Sequence, residues 1–164
     1  MVLDLKKLFI GESGTEAFSG ELDWSAEKVY GQAPFVAPVR FTGTASNTAG
    51  IVRLQYQAVA MLKMPCDRCA EETEQEFPRS FEHVVVTHLD GEDTGALIVA
   101  PDYKLNMDEL VFADMMLEFP SKFLCRPDCK GICPRCGANL NRTVCRCTDK
   151  PIDPRLAALQ SLLN

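Results

Sequence analysis

The chain has 164 residues, of which 46% are hydrophobic and 24% charged, and its formal net charge is −6. This length fits one domain with at most a small appendage, and the composition is that of a soluble globular protein that needs no disulfides to fold. No apolar run approaches the roughly 18 residues of a membrane span, the N-terminus lacks the pattern of a secretory signal, and the overall acidity argues against a general DNA-coating protein. We therefore expect a cytoplasmic protein, in a compartment where thiols stay reduced.

Alternating hydrophobicity predicts β-strands in the first part of the chain. In residues 50–64, GIVRLQYQAVAMLKM, apolar side chains occupy the even-numbered positions from 52 onward, which is the period of a half-buried strand. Segments 35–45, 75–89 and 96–100 predict further strands, and Pro78 indicates an edge or a bend in the second of these. The expected fold class is α+β, with an antiparallel β-sheet or small barrel in the early chain.

A short helix is predicted after these strands, within residues 106–120. Asn106, with Glu109 three residues later, resembles a capping box, and Pro120 ends the run. Apolar residues occur at helical spacing between them. The acidic side chains of this segment are interpreted as a solvated helix face: Asp108, Glu109, Asp114 and Glu118.

The C-terminal segment predicts a second helix, over residues 153–163. Asp153 is its expected N-cap, and Pro154 suits the first helical position. An isolated helix of this length is marginal in water, so we expect it to dock on the rest of the chain or on a partner. Its apolar stripe consists of leucines: Leu156, Leu159, Leu162 and Leu163.

Six of the eight cysteines lie within residues 125–147, a segment with almost no apolar periodicity. In a reducing compartment this crowding indicates a metal site more than disulfides. The CPRCG knuckle from Cys133 to Gly137 is its strongest element, because two thiolates two residues apart can chelate one ion and glycine permits the tight turn. The expected structural zinc site combines four of these cysteines: Cys133, Cys136, Cys145 and Cys147.

Two assignments stay open in this segment. Cys125 and Cys129 either replace one of the four ligands or join them in a six-thiolate cluster with two zinc ions. An iron–sulfur cluster uses the same ligand type and is the alternative to zinc. Disulfides or plain reduced thiols are the remaining alternatives.

Cys66 and Cys69 form a separate C-x-x-C motif. The simplest interpretation is a turn with two partly buried thiols. A second metal site is an alternative, since eight cysteines divide into two sets of four. Redox chemistry is less favoured, because the motif follows a strand and precedes acidic residues, whereas a redox C-x-x-C normally opens a helix whose N-terminus lowers the thiol pKa.

No other pattern indicates catalysis. His83 and His88 point to opposite faces of a predicted strand and are interpreted as strand histidines. The chain lacks a glycine-rich phosphate loop, a nucleophile elbow and a pair of histidines on a helix. We therefore expect a protein that is not an enzyme.

Charge is divided unevenly along the chain. Residues 65–120 carry three Lys/Arg and fourteen Asp/Glu, for −11, whereas residues 121–150 carry seven and two, for +5. Local charge is what a phosphate backbone meets, so the basic segment is the candidate RNA-binding surface. Its candidate RNA-binding residues are Lys130, Arg135, Arg142 and Arg146. The expected organisation is an acidic β-rich part over 1–120, a basic cysteine-rich zinc module over 121–150 and an amphipathic helix over 151–164.

Several of these segments together resemble a known family. CDRC after a long strand, a helix ending in LEFP, the string CRPDCKGICPRCGANLNRTVCRC and the tail DPRLAALQSLL are similar to the YceD family, the large ribosomal RNA subunit accumulation proteins. The resemblance extends from about residue 35 to the end of the chain. It implies a role in accumulation or processing of large-subunit ribosomal RNA in bacteria and plastids, and it implies no catalytic residue.

The leading hypothesis is a non-enzymatic factor in biogenesis of the large ribosomal subunit, with a structural Zn²⁺ site. Its expected partners are the pre-ribosomal large subunit, ribosomal RNA and a basic ribosomal protein held by the acidic part, with no membrane involved. One alternative is a thiol redox protein that uses Cys66 and Cys69. Another is a zinc-knuckle module that binds a protein partner without RNA.

Overall fold

The structure is a computed structural model that describes residues 1–11, 13–89 and 97–147. The described chain is mostly β-sheet with few helices. No helix within the described ranges has the length and apolar character needed to cross a membrane. The helix expected over 153–163 lies outside the described residues.

The chain divides into two compact units. Met1–Met64 and Glu72–Lys122 form the first, which we call the sheet unit. Pro65–Glu71 and the chain from Phe123 onward form the second, which we call the cysteine unit. The segment with Cys66 and Cys69, which was expected in the β-rich part over 1–120, therefore belongs with the other cysteines.

The sheet unit contains a large sheet, a two-stranded ladder and two α-helices. In chain order its elements are β1 (Val2–Asp4), α1 (Lys6–Ile10), β2 (Ser13–Leu22), β3 (Val39–Thr48), β4 (Ile51–Pro65), β5 (Glu72–Val86), β6 (Leu97–Val99), a 3-10 turn (Pro101–Tyr103), β7 (Lys104–Asn106) and α2 (Met107–Leu117). β1 pairs with β7, and the other five strands form the large sheet in the order β2-β3-β4-β5-β6.

The large sheet is antiparallel along most of its width. β2 pairs antiparallel with β3, and β3 with β4, where Gly43 faces Tyr56. β6 departs from this pattern because it pairs parallel with Val84–Val86 of β5. The expectation of an antiparallel sheet is wrong for this last strand, since alternating hydrophobicity reports which face is buried but not the direction of a short strand.

The alternation predicted for residues 50–64 is confirmed in β4. Its even-numbered side chains from Val52 to Met64 are buried, and its polar side chains point to the other face. The neighbouring strands add Phe41 and Val85 to the same core. Helix α2 adds further buried side chains: Met107, Leu110, Val111 and Met115. Burial of apolar surface against these strands is what stabilises so short a helix.

Several strand boundaries differ from the prediction. β3 begins only at Val39, directly after Pro38, and runs to Thr48 instead of ending at 45. β2 was missed, because among its ten residues only Phe18 is buried and two are glycines. An edge strand of this kind lacks the hydrophobic alternation that identifies a strand from sequence.

The predicted helix after Asn106 is confirmed, with an earlier end. α2 covers Met107–Leu117, and the Asn106 side chain accepts a hydrogen bond from the backbone N–H of Asp108. The interpretation of Asp114 as part of a solvated face is wrong. Its side chain is buried, accepts a hydrogen bond from the Tyr56 hydroxyl and lies 2.6 Å from Nε2 of His83. A buried carboxylate is tolerated here because two partners satisfy it.

Candidate metal centres

All eight cysteines lie in the cysteine unit and form two clusters of four. The first cysteine cluster consists of Cys66, Cys69, Cys125 and Cys129. The second cysteine cluster consists of Cys133, Cys136, Cys145 and Cys147. The four sulfur atoms of each cluster lie within 4.8 Å of one another, so each cluster can hold one metal ion.

The sulfur spacing matches tetrahedral coordination. Four sulfurs at about 2.3 Å from a zinc ion are about 3.7 Å apart, whereas a disulfide places its two sulfurs about 2.05 Å apart. All eight cysteines are free thiols. The sulfur–sulfur distances are 3.8 Å for Cys66–Cys129, 3.7 Å for Cys69–Cys125, 3.6 Å for Cys136–Cys145 and 3.3 Å for Cys133–Cys145.

The second cluster is the four-cysteine set that the sequence indicated for zinc. The first cluster joins Cys125 and Cys129 with the C-x-x-C motif at Cys66 and Cys69, which is the arrangement of two sets of four. A shared six-thiolate cluster is not what the structure shows. Sequence spacing could not choose between these arrangements, because 63 positions separate Cys66 from Cys129.

The turn from Cys66 to Glu71 holds the first half of the first cluster. The Cys66 N–H donates to the Glu71 carbonyl, and the Ala70 N–H donates to the Cys66 carbonyl, which closes the turn. Asp67 then fixes the turn to the second half of the cluster. Its N–H donates to the Phe123 carbonyl at 2.8 Å, and its carboxylate accepts from the Phe123 N–H at 2.6 Å.

Arg68 makes two further contacts across the first cluster. Its guanidinium donates to the Cys129 carbonyl at 2.8 Å, and its own carbonyl accepts from the Ile132 N–H at 3.1 Å. Gly131 lies against that carbonyl with a φ of +75°, and a Cβ there would stand 2.9 Å from the Arg68 oxygen. Both the backbone conformation and the close approach therefore require glycine at this position.

The second cluster is built on the predicted knuckle. The Gly137 N–H donates to the Cys133 carbonyl at 2.9 Å, and the Cys133 N–H donates to the Ala138 carbonyl at 2.8 Å. Gly137 has a φ of +70°, as expected for the residue after such a turn. Residues 139–143 then form a compact turn, in which the Asn139 carbonyl accepts from the N–H groups of Arg142 and Thr143.

Backbone N–H groups favour the thiolate form of one cysteine in each knuckle. Burial opposes ionisation of Cys66, but the N–H groups of Cys125, Cys69 and Arg68 outweigh it and lower the Cys66 pKa to about 6. In the second cluster the N–H groups of Cys136 and Arg135, with the Cys145 thiol, lower the pKa of Cys133 to about 6.

The pKa is raised at Cys125 in the first cluster and at Cys147 in the second. Burial, followed by hydrogen bonds with the neighbouring thiols, raises the pKa of Cys125 to about 12. Hydrogen bonds with Cys145 and Cys136 raise the pKa of Cys147 to about 12. Four thiolates so close together repel one another, and a bound divalent cation removes this penalty. Metal-free clusters therefore retain protons that metal binding would release.

The two clusters differ in exposure. Cys66, Cys69 and Cys129 are buried, and Leu124 packs beside them. In the second cluster Cys133 is buried, whereas Cys136 and Cys147 are exposed. Solvent and competing ligands can therefore reach the second cluster more directly.

The candidate RNA-binding residues all lie in the cysteine unit, but their side chains have different surroundings. Arg142 forms an ion pair with Glu71 of the same unit. Within the described residues, the side chains of Lys130, Arg135 and Arg146 form no ion pair or hydrogen bond. These three cations are therefore more available to an anionic partner than Arg142 is.

Fold and site together define a small β-rich protein whose second unit contains two four-cysteine clusters, each able to hold a metal ion. The family of the large ribosomal RNA subunit accumulation protein YceD matches residues 54–163, which includes both clusters. The chain therefore belongs to the YceD family.

Two bacterial proteins illustrate the similarity of this chain to its relatives. The uncharacterized protein YlbN of Bacillus subtilis (strain 168) is 28% identical over 132 residues, which cover 79% of this chain and 76% of that protein. The uncharacterized protein Rv2926c of Mycobacterium tuberculosis (strain ATCC 25618 / H37Rv) is 36% identical over 63 residues, covering 38% of this chain and 30% of that protein. No solved structure matches the chain.

Proposed function

We propose that this protein is a non-enzymatic cytoplasmic factor that supports accumulation or processing of large-subunit ribosomal RNA and binds two structural zinc ions. The family match over residues 54–163 supports the proposed role in ribosomal RNA accumulation, because the family is named for large ribosomal RNA subunit accumulation. Four thiolates with no open position suit zinc in a structural role. The zinc ions hold the cysteine unit in shape, since its described part has little apolar core of its own.

The cysteine unit is proposed to contact ribosomal RNA. In the described part of this unit, the side chains of Lys130, Arg135 and Arg146 have no ion-pair or hydrogen-bond partner, so they provide the phosphate contacts. Arg142 contributes less, because RNA must compete with Glu71 for its guanidinium. Two zinc ions partly neutralise the negative charge of the eight thiolates, so the thiolates repel RNA phosphates less and the surrounding cations can bind them.

The sheet unit is proposed to contact a basic ribosomal protein in the pre-ribosomal large subunit. β5 exposes acidic side chains at alternate positions on one face: Glu72, Glu74, Glu76 and Glu82. Part of this charge is already neutralised within the sheet, since Lys63 lies near Glu72 and Glu74 and Arg53 pairs with Glu82. Charge complementarity of this kind mainly accelerates and selects the encounter.

The test is sedimentation of the tagged full-length protein through sucrose gradients of cell extract at low and high salt. The wild-type protein should migrate with large-subunit particles. Replacing Lys130, Arg135 and Arg146 together by Gln should weaken the association and reduce the salt dependence by up to three phosphate contacts, each worth a slope of roughly 0.7–0.9. The matched control removes the same charge from the sheet unit by replacing three exposed lysines by Gln: Lys6, Lys7 and Lys28.

Two results would contradict this proposal. In the first, the wild-type protein stays in the soluble fractions even at low salt. In the second, both triple variants shift the distribution equally, which would mean that net charge and not the cysteine unit decides the association.

A thiol redox function is the second candidate, and the lowered pKa of Cys66 is the observation that favours it. Against it, Cys66 and Cys69 are buried and share a cluster with two further thiols. Titration of accessible thiols in the zinc-loaded protein separates the two. A redox protein should present a reactive Cys66, whereas a zinc protein should present it only after a chelator is added.

A further inference from the structure

We propose that Asn141 couples the two cysteine clusters, so that metal bound at the first cluster strengthens metal binding at the second. This inference rests on the metal binding assigned under the proposed function and adds a relation between the two sites. Asn141 is not a ligand, and it acts as a positioning residue through the ligands of each cluster.

The Asn141 side chain makes three hydrogen bonds with the segment that carries Cys125 and Cys129. Its Nδ2 donates to the Cys129 sulfur at 3.2 Å. Its Oδ1 accepts from the Lys130 N–H at 2.8 Å and from the Arg126 guanidinium at 2.9 Å. One amide therefore contacts Arg126, Cys129 and Lys130, and the contact with Cys129 is to a sulfur of the first cluster.

The backbone around Asn141 belongs to the segment that completes the second cluster. Asn141 lies between Cys136 and Cys145, and its N–H donates to the Asn139 side chain at 2.9 Å. The next residues continue the same turn, since Thr143 donates through both its N–H and its hydroxyl to the Asn139 carbonyl. The position of this turn determines where the chain re-enters the second cluster at Cys145.

A second connection runs through the backbone beside Gly131. The Leu140 N–H donates to the Gly131 carbonyl at 2.9 Å, and Ile132 and Asn139 form a β-bridge. These bonds hold the turn next to the strand-like segment between the two clusters. Neither of these two bonds ends on a sulfur. The Gly131 N–H donates to the Cys129 sulfur from the side of the first cluster, and the Asn141 amide contacts the same sulfur from the turn.

The physical consequence is shared ordering. Metal at the first cluster fixes Cys129 and the loop beside it, and the Asn141 amide transmits that order to the turn before Cys145. The second cluster then loses less conformational freedom when its own metal binds. Thermodynamic linkage requires the effect to be reciprocal.

The coupling is measured with Zn²⁺ alone on the full chain, by competition against a chromogenic chelator. The Zn²⁺ affinity of the second cluster is measured in two proteins. In one the first cluster is intact, and in the other it is disabled by the double substitution Cys66→Ser and Cys69→Ser. Disabling the first cluster should weaken the second by about five- to a hundredfold, the usual range for coupled sites. In the Asn141→Ala background, disabling the first cluster should change the Zn²⁺ affinity of the second by no more than about twofold, because the contact with the Cys129 sulfur is already lost.

Three controls make the result specific. Thr143→Ala removes a hydrogen bond of the same turn without touching the first cluster, so it should preserve the coupling. Asn141→Asp keeps an acceptor for the Lys130 N–H but loses the donor to the Cys129 sulfur, so it should abolish the coupling. Fluorescence of Trp24, in the sheet unit, verifies that each variant is folded there.

A spectroscopic signature separates the N–H···S contact from general loosening. With Co²⁺ bound only at the first cluster, in a Cys133→Ser, Cys136→Ser background, the sulfur-to-metal charge-transfer band should move to lower energy in both Asn141 variants. The reason is that a hydrogen bond stabilises the sulfur lone pair, and its loss raises the donor orbital.

The outcomes are distinguishable. Equal coupling in the wild type and in Asn141→Ala, no coupling in the wild type, or equal loss of coupling in Thr143→Ala would each overturn the inference while leaving zinc binding intact. If neither cluster binds zinc, the zinc part of the proposed function is wrong as well.

Discussion

The buried contact between Tyr56 and Asp114 gives the sharpest prediction about stability. Tyr56 is 4% exposed and Asp114 is 8% exposed, and the hydroxyl of the first donates to the carboxylate of the second. A hydrogen bond to a charged group contributes about 1.5–3 kcal/mol. Tyr56→Phe keeps the ring and its packing against Phe18 and Phe81, so it should lower the free energy of unfolding by about that amount.

Asp114→Ala should cost more, about 3–5 kcal/mol, because it leaves both the Tyr56 hydroxyl and the His83 imidazole without their buried partner. For a chain of this length each kcal/mol corresponds to roughly 2–4 °C in Tm.

The assay is urea unfolding of the zinc-loaded protein followed by the fluorescence of Trp24. This is the only tryptophan of the chain, it is 6% exposed, and its ring contacts Phe112 of α2 at 5.2 Å. Its signal therefore reports whether α2 is packed on the sheet. Tyr30→Phe is the matched control, because it makes the same chemical change at a residue that is 67% exposed. A loss below about 0.5 kcal/mol for Tyr56→Phe, no larger than a typical surface substitution, would refute the reasoning.

Three further predictions follow from the described contacts. Burial and the Asp114 carboxylate raise the pKa of Tyr56, so this phenol keeps its proton in the folded state while an unfolded tyrosine ionises above about pH 10. Stability should therefore fall as pH rises past that point, and Tyr56→Phe should remove up to about 1.4 kcal/mol per pH unit of the slope in an alkaline urea series. Elemental analysis should find about two zinc ions per chain and about one in Cys66→Ser or Cys133→Ser at saturating zinc, and finding no zinc in the folded wild type would contradict this. Gly131→Ala should accelerate zinc release to a chelator. Gly50→Ala is the control and should not, because Gly50 has a similar φ of +84° but no atom within 4 Å of its Cβ position. Equal release rates would show that the close approach of Gly131 to Arg68 is unimportant.

The sequence predicted features that depend on local periodicity. Residues 50–64 carry their own alternation, so the buried face of β4 could be assigned residue by residue. Asn106 likewise marked the start of α2. The knuckle at Cys133 was recognisable because its ligands and its turn glycine are neighbours in the chain.

Features that depend on distant contacts were missed or left open. Asp114 has no sequence neighbour that indicates burial, because Tyr56 and His83 come from two different strands. The partners of Cys66 and Cys69 could not be chosen for the same reason. The role of Asn141 was also invisible, since an amide between two cysteine pairs resembles any loop residue until its contacts are known.

The first cluster takes one of its ligand pairs from the connection between the two longest strands of the sheet and the other from far along the chain. During synthesis, β4 and β5 emerge with Cys66 and Cys69 well before Cys129, which closes a loop with a separation of 63 positions. Closing such a loop costs conformational entropy and slows folding, and the stabilising contacts form only after the loop has closed. Nascent chains should therefore remain open to thiol-reactive agents at these two cysteines until late in synthesis. A fragment that starts at residue 121 would lack half of the ligands of this cluster, so dissecting the protein at that position would remove the site instead of isolating it.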